Sequence, residues 1–257
     1  MGSVTQVFTA KYDWVDAITV NVFTNATVAP GDYSPSGGHG TPTLIGNTVD
    51  TLTVAEDRSF SGLLDKLDME SVAGTKKAGE WLATELRQQV IPDVDKYRFA
   101  ALYTACPTGQ VSASAAITSA NAYTEFLAGN ETLDEAGVPT VGRVCFITPA
   151  AYNKLKLDDN FIKASDLGQS IMLNGQVGEV DGVPIIKVPA ATLNATDNHM
   201  DFIIVHVDAV AAPVKLVDYT VFESVPGYSG SRVDGRYVHD LFLLDTLNDG
   251  IYIHVHA

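Results

Sequence analysis

Six histidines are the residues with the clearest potential for metal or acid–base chemistry. His254 and His256 alternate in an apolar run, and on a β-strand they would share one face. The others do not have the spacing of a zinc motif such as HExxH: His39, His199, His206 and His239. The sequence therefore predicts no histidine metal centre.

Two acidic clusters could do acid–base work or bind a divalent cation: Asp65 with Asp68 and Glu70, and Asp93 with Asp95. Negative charge near a helix start is the commoner explanation, because it stabilises the first turn. The run GYSGS lacks the GxSxG spacing of a nucleophile elbow, and no phosphate-binding glycine loop of the GxxxxGK[ST] or GxGxxG type occurs. We therefore predict no catalytic, cofactor or metal site, and we predict that the protein is not an enzyme.

The charge balance excludes one broad class of function. Sixteen Lys and Arg against 31 Asp and Glu give a net charge of −15, which opposes general binding to phosphate backbones and anionic lipids. With 46% hydrophobic residues in 257, the composition is that of a globular protein of one large or two smaller domains. Any contact with nucleic acid must be local and weak.

Cysteine use and the N-terminal sequence indicate a protein made inside the cell. Cys106 and Cys145 form no CxxC or metal-ligand pattern, so we interpret both as small buried hydrophobic residues. The N-terminus lacks a basic stretch followed by an apolar core, and no run of about 18 apolar residues occurs. No contact with a membrane is predicted.

A β-hairpin is predicted in the first quarter of the chain. Apolar and polar residues alternate over residues 18–23 and again over residues 51–54. Between them, residues 30–42 (PGDYSPSGGHGTP) have the composition of a turn or mobile tip. Because an isolated two-stranded ribbon is marginal in water, we expect the hairpin to find a stabilising surface elsewhere, for example on a neighbouring subunit.

A long helix interrupted by Pro92 is predicted next. Apolar residues recur at helical spacing before and after this proline: Ala78, Trp81, Leu82, Leu86 and Val90, then Val94, Tyr97, Ala101 and Leu102. Proline lacks the backbone donor and clashes with the preceding turn, so we expect a kink or break at Ile91 and Pro92. If nearly straight, the helix would reach roughly 45 to 50 Å.

The rest of the chain has a mixed pattern. A helix is predicted over residues 111–127, a buried strand over Arg143–Ile147 and a short helix over residues 149–155. Two strands are predicted around Asp181 and Gly182, a buried strand over residues 201–207 and further β sequence over residues 214–222. Two further strands flank Asn248, Asp249 and Gly250 as a hairpin, and we expect this tail to return beside the long helix.

Six segments, in this order, resemble the major capsid proteins of tailed bacteriophages with the Hong Kong 97-type fold. The segments are WVDAITVNV, TLTVAEDRSFSGLLDKLDMES, PDVDKYRFAAL, VGRVCFITPAAYNKLKLD, VGEVDGVPIIKVP and DFIIVHVDAVAAPVKLVDY. The similarity as a whole covers nearly the entire chain, from about Trp14 to Tyr252. No single segment is decisive, and their order carries the resemblance.

The resemblance implies an α+β fold with an extended β-hairpin loop, a long spine helix, a peripheral domain and an inserted axial domain. The corresponding boundaries are a short N-terminal arm (1–13), the extended loop (14–62), the peripheral domain (63–107 and 223–257) and the axial domain (108–222). It further implies that the tip of the extended loop contacts a neighbouring subunit through Asp32, Tyr33, Pro35 and His39.

The implied function is a major capsid protein that assembles itself into hexamers and pentamers of an icosahedral head around double-stranded DNA. Scaffolding, cement and portal proteins are further partners that the resemblance suggests, and DNA contacts would be weak and nonspecific. Assembly would take place in the host bacterial cytoplasm, and the product would be the virion capsid. No lysine occurs between Lys11 and Lys66, so covalent crosslinking through a lysine of the extended loop is not expected.

Two alternatives remain open at this point. An encapsulin-like bacterial nanocompartment would use the same fold, but it would hold a cargo enzyme in place of a genome. A soluble hydrolase or binding module would form a small defined oligomer with a saturable small-molecule site. The extended loop and the Pro-Asp-x-Asp-x-Tyr segment beginning at Pro92 favour the capsid, because neither has a catalytic explanation.

Overall fold

The computed structural model describes residues 4–25, 28–36, 38–39, 41–42, 44, 47–65, 78–114, 116–158, 178–193 and 199–256. The helices are α1 (Ala78–Glu85), α2 (Ile91–Ala105), α3 (Ala122–Glu135) and α4 (Pro149–Lys156). The strands are β1 (Tyr12–Trp14), β2 (Thr19–Asn25), β3 (Asn47–Thr53), β4 (Glu56–Asp65), β5 (Val111–Ser114), β6 (Arg143–Ile147), β7 (Glu179–Val180), β8 (Val183–Lys187), β9 (Met200–His206), β10 (Val210–Ala211), β11 (Val214–Phe222), β12 (Gly230–His239), β13 (Phe242–Leu243) and β14 (Ile251–His256). The architecture is a mixed α+β fold, as predicted.

The largest sheet has six strands in the order β5-β14-β9-β6-β8-β7. Its central strands are apolar on both faces because both faces are covered. Tyr252 and Ile204 face one cluster, which α3 and α4 complete, whereas Ile253 and Ile203 face a second cluster that contains Phe99 of α2. The sheet is therefore the middle layer between two helical layers.

A second sheet has three antiparallel strands in the order β11-β12-β4, and α1 packs on one face of it. The indole of Trp81 lies against Gly62, where an added Cβ would come within 2.4 Å of the ring. Phe60 extends this contact, with its ring centroid 6.3 Å from that of Trp81. The sequence Phe60-Ser61-Gly62 thus combines an aromatic side chain with a gap that accepts the indole.

Helices α1 and α2 are joined without a break by a π-helical turn over Leu86–Val90. The backbone N–H of Ile91 donates to the carbonyl of Leu86, five residues earlier, and Pro92 then lies in the first turn of α2. Since the first turn of a helix does not need that donor, the proline is accommodated there. The helix does not break at Ile91 and Pro92: the irregularity is the π-helical turn that ends directly before Ile91, and the helix continues for about 42 Å.

The first strands form a separate antiparallel sheet in the order β1-β2-β3. Thr19 pairs with Thr53 and Asn25 with Asn47, which confirms the predicted hairpin. Val20 and Val22 are fully buried against Val54, Val238 and other apolar side chains of the body. Alternation along β2 therefore fixes the base of the hairpin to the rest of the molecule.

Several local predictions are confirmed by the strand and helix assignments. The strands β6, β9 and β11 and the helix α4 occur where the pattern indicated. Asp181 and Gly182 connect β7 to β8 with φ values of 50° and 75°, the left-handed pair that an Asp-Gly hairpin turn requires.

Two local predictions are wrong. The segment 111–127 is not one helix, because Val111–Ser114 is a strand that pairs in parallel with β14. The helix begins only at Ala122, after Asn121 accepts hydrogen bonds from the backbone and hydroxyl of Thr118. The tail is not a hairpin either, because β13 pairs with β10 and a short 3₁₀ turn, Asp245–Leu247, separates it from β14.

The strand pairing bears on the proposed domain boundaries, which stay a prediction. Val214–Phe222, assigned above to the axial domain, pairs with β12, whose residues were assigned to the peripheral domain. Ile251–His256, assigned to the peripheral domain, pairs with β5 and β9 in the six-stranded sheet. The same terminal strand also packs Ile251 and Ile253 into the cluster that contains Phe99 of the long helix.

Candidate assembly surfaces

The tip of the first hairpin is an exposed turn in which Ser34 and Gly38 exchange backbone hydrogen bonds, with N–O distances of 3.1 and 2.6 Å. This bridge brings the rings of Tyr33 and His39 together, with centroids 5.1 Å apart and an interplanar angle of 60°. Asp32 and Pro35 lie in the same turn and are exposed. The four predicted contact residues therefore share one surface, and their contact with another subunit stays a proposal.

The hairpin also exposes apolar side chains beyond its tip. Phe23 and Val49, which are opposite each other in the β2–β3 ladder, are both exposed, and Leu44 is 95% exposed. No Lys or Arg occurs between Lys11 and Arg58, whereas Asp13, Asp16, Asp32 and Asp50 all belong to this region. The hairpin is consequently an acidic projection with a partly apolar surface.

Strand β11 forms a second surface of this kind, which the sequence analysis did not identify. Six large apolar side chains on it are between 37% and 53% exposed: Val214, Leu216, Val217, Tyr219, Val221 and Phe222. The sequence held no decisive signal for it, because apolar residues on both alternating faces are equally compatible with a strand that is buried on both faces.

The acidic residues of the PDVDKYRF segment are positioned for structure. Asp93 accepts a hydrogen bond from the hydroxyl of Tyr237, at 3.1 Å, while Asp95 turns away to accept the hydroxyl of Thr5, at 2.7 Å. The two carboxylates thus serve different partners and do not act as a catalytic pair. Of the other predicted cluster, Asp68 and Glu70 lie outside the described residues.

Two further residues of this segment connect the long helix to the following strands. The hydroxyl of Tyr97 donates to Asp240 at 3.1 Å, and burial together with this carboxylate raises the pKa of Tyr97 to about 12. The guanidinium of Arg98 is buried and donates to the hydroxyl of Thr5 and to the carbonyls of Ala212 and Pro213. The segment joins the N-terminal region, the connection between β10 and β11 and the connection between β12 and β13 to one helix.

Two of the histidines lie close to carboxylates at one end of the six-stranded sheet. Asp201 lies 3.3 Å from His254 and 2.9 Å from His256. Burial would raise the pKa of Asp201, but hydrogen bonds and charge from the two histidines leave it below its ordinary value. Within the ranges that the structure describes, no group of three or more His, Cys, Asp or Glu side chains has a geometry that could hold a metal ion.

The two cysteines differ in their burial. Cys145 is fully buried in β6, and burial raises the pKa of its thiol above the ordinary value. Cys106 is partly buried at the end of α2, where burial raises its pKa to about 12. The interpretation as a buried hydrophobic residue is confirmed for Cys145 and holds in part for Cys106. Among the described helices, none is long and apolar enough to cross a membrane.

Comparison with solved structures gives consistent matches over nearly the whole chain. A structure titled Mycobacterium phage Che8 matches with a TM-score of 0.69 and 20% identity, covering 93% of this chain and 85% of that one. The capsid of cyanophage P-SCSP1u matches with a TM-score of 0.68 and 17% identity, covering 94% of this chain and 84% of that one. The mature capsid of bacteriophage PhiM1 matches with a TM-score of 0.66 and 13% identity, covering 100% and 88%.

The chain has the Hong Kong 97-type capsid fold. No protein-family model matches the sequence, and no curated protein is significantly similar to it. At identities of 20% and below, what the chain shares with these structures is its Hong Kong 97-type architecture.

Proposed function

We propose that this protein is the major capsid protein of a tailed bacteriophage. It assembles itself into hexamers and pentamers of an icosahedral head that encloses double-stranded DNA. The observation that carries the proposal is the agreement in fold with phage capsid structures along 93% to 100% of the chain. The fold indicates a structural protein, and the absence of catalysis is part of the proposal.

Two features of the chain support a role in assembly. Burial of Val20 and Val22 anchors the base of the first hairpin, while its tip and the Phe23–Val49 surface stay exposed. A projecting hairpin of this kind is stabilised when a neighbouring subunit covers it. We propose that the tip, through Asp32, Tyr33, Pro35 and His39, lies on an adjacent copy of the chain.

The net charge of −15 supports a shell that encloses DNA without binding it tightly. Basic surfaces bind phosphate backbones strongly and with a steep salt dependence, and an acidic chain opposes such binding. Scaffolding, cement and portal proteins belong to the proposal as partners, as does assembly in the cytoplasm of a host bacterium. DNA contacts in this scheme are weak and nonspecific.

A second candidate function is the shell of a bacterial nanocompartment of the encapsulin type. One specific observation favours it: a virus-like particle from Pyrococcus furiosus matches with a TM-score of 0.56 and 13% identity, covering 93% of this chain and 87% of that one. Such a shell would enclose a protein cargo in place of a genome. The TM-scores of 0.65 to 0.69 for five of the phage structures favour the phage capsid.

Electron microscopy with light scattering of the purified 27.4 kDa chain tests the proposal. Closed particles or ring-shaped capsomers are the expected result. A monomer or dimer that persists at high concentration and with crowding agents would contradict the proposal. The nucleic acid and protein content of particles isolated from the natural host then separates a DNA-filled head from a cargo compartment.

A further inference from the structure

The outer edge of β11 lacks a pairing strand within the described part of the chain. β12 is the central strand of its sheet and pairs with β11 on one side and β4 on the other. β11 is nine residues long, and the edge that faces away from β12 has no partner among the described residues. A long exposed edge with apolar side chains is a template for pairing with another strand, and natural proteins cover or interrupt such edges.

The side chains of β11 show that this surface is apolar on both sides of the strand. Leu216 and Tyr219 are in register with Tyr237 and Gly235 of β12, on the face that carries the contact between Phe60 and Trp81. Phe222 is in register with Arg232, on the opposite face. All three are exposed, so the surface along this edge is apolar on both faces.

The edge carries only two charges, Lys215 and Asp218, and they have opposite signs. Lys215 extends over the ring of Trp14, with its Nζ 5.3 Å from the centroid. Arg236, the in-register neighbour of Asp218, is held in an ion pair with Asp57. Although the whole chain is strongly acidic, the edge is therefore neutral in sum and can approach another copy without repulsion.

We infer that β11 pairs antiparallel with β11 of a second copy of this chain. Pairing centred between Leu216 and Val217 places Lys215 of each copy opposite Asp218 of the other. The β-bulge between Leu216 and Asp218 sets these two side chains on the same face of the strand, and the paired segment is residues 214–219 of each copy. The same register places Val214 opposite Tyr219. Parallel pairing in register would place like charges opposite each other, which destabilises a sheet. The inference rests on the proposed self-assembly and adds to it the contact surface, its orientation and its charge complementarity.

A charge exchange tests the inference in the full-length chain. Asp218→Lys alone replaces two opposite-charge pairs by two like-charge pairs, so we expect the concentration for half-maximal assembly to rise about tenfold. Lys215→Asp alone has the same expected effect on pairing. The double variant Lys215→Asp with Asp218→Lys restores opposite charges across the two copies, and its assembly should return toward that of the wild type.

Matched controls separate pairing from folding and from net charge. Asp249→Lys makes the same charge reversal at an exposed position outside β11, and it should assemble like the wild type. Tyr219→Lys places a charge on the apolar edge and should block assembly, whereas Val141→Lys, at a residue that is 85% exposed, should not. Circular dichroism and the urea midpoint establish that each variant is folded before assembly is compared.

The outcomes distinguish this inference from the proposed function. Wild-type particles with assembly that is unaffected by Asp218→Lys would overturn the inference alone, as would a double variant that assembles no better than the single ones. In that last case another segment of the neighbour covers the edge. Dimers without shells that respond to the charge exchange would support the strand pairing and contradict the capsid proposal. A wild-type chain that is monomeric at every concentration would overturn both.

Discussion

Thr5 and Asp95 are hydrogen-bonded to each other although ninety positions separate them in the chain. The hydroxyl of Thr5 donates to Oδ1 of Asp95 at 2.7 Å, and the backbone N–H groups of Val4 and Thr5 also donate to this carboxylate. Thr5 in turn accepts a hydrogen bond from Arg98. Both Thr5 and Asp95 are buried, so the N-terminal segment is fixed to the long helix by a closed polar network.

Asp95→Asn tests this network. The amide keeps the size of the carboxylate but loses its charge and one acceptor, beside the buried guanidinium of Arg98. We expect the free energy of unfolding to fall by about 1 to 3 kcal/mol. Urea denaturation measures this change, and limited proteolysis should cleave near Val4–Val7 faster than in the wild type. Asp249→Asn, at an exposed position, is the control, and equal effects from both variants would show that the network adds no stability.

The buried ring of His239 leads us to expect a loss of stability in mild acid. Its ring is fully buried, stacks on Tyr237 with centroids 5.5 Å apart and meets the edge of Tyr97 at 5.1 Å. Burial first, and then the charge of Arg98, lowers the pKa of His239 below its ordinary value of 6.5. The folded state therefore favours the neutral ring, and the unfolded chain binds the proton more readily.

This difference in proton binding determines how the folding stability changes with pH. Stability is unaffected well above pH 6.5 and falls as the pH drops below it, by at most about 1.4 kcal/mol per pH unit from this one group. The urea midpoint, measured from pH 8 to pH 5, should decrease less in His239→Phe than in the wild type. Asp201 affects the stability in a separate, more acidic pH range. Because its pKa in the folded state is lowered, the stability that its carboxylate contributes is lost only as the pH falls below about 3.8. Identical slopes for wild type and His239→Phe would refute the assignment.

Gly62→Ala should destabilise the contact between the long helix and the three-stranded sheet. A Cβ at this position would come within 2.4 Å of the Trp81 ring, so the indole must move. We expect a loss of about 1 to 3 kcal/mol in the free energy of unfolding, as for other overpacked sites. In a Trp81→Leu background the same glycine change should cost much less, and a double-mutant cycle from urea titrations measures that coupling. Additive effects would mean that the clash is relieved elsewhere.

Deletion of residues 32–41 tests the hairpin tip. These residues include the Tyr33–His39 contact but none of the buried side chains at the hairpin base, Val20 and Val22. The variant should therefore keep the wild-type circular dichroism spectrum and urea midpoint while its assembly, followed by light scattering, decreases strongly. The double substitution Tyr33→Ala with His39→Ala should reduce assembly in the same direction. Normal particle formation by the deletion variant would rule out a role for the tip between subunits.

The sequence predicted element types well where one local signal dominated. Full burial of Ile203 and Ile204 follows from an apolar run bounded by polar residues, and the turn at Asp181 and Gly182 follows from dipeptide chemistry. It failed over Val111–Ser114, because an alanine- and serine-rich stretch has helical composition but here finds a strand partner in β14. Local composition does not reveal a strand partner that lies more than a hundred residues away in the sequence, and pairing with that partner overrides the local helical preference.

Of the two candidate assembly surfaces, the sequence predicted the hairpin tip but not the edge of β11. Turn composition placed Asp32, Tyr33, Pro35 and His39 in one exposed loop, and the tertiary structure brought the Tyr33 and His39 rings together. The exposed edge of β11 was not predicted, since its composition is equally compatible with a strand that is buried on both faces. Only the position of β11 at the end of the order β11-β12-β4 makes it an edge.

By itself, the sequence determined the periodicity of the strands and helices, the acidic character of the chain and the order of segments that indicates a capsid fold. Tertiary structure decided that Asp95 would meet Thr5, that β14 would enter the six-stranded sheet and that β11 would keep one edge open. The physical reason is that a local pattern specifies which face of an element is apolar. The partner that covers this face is chosen by packing among all elements at once.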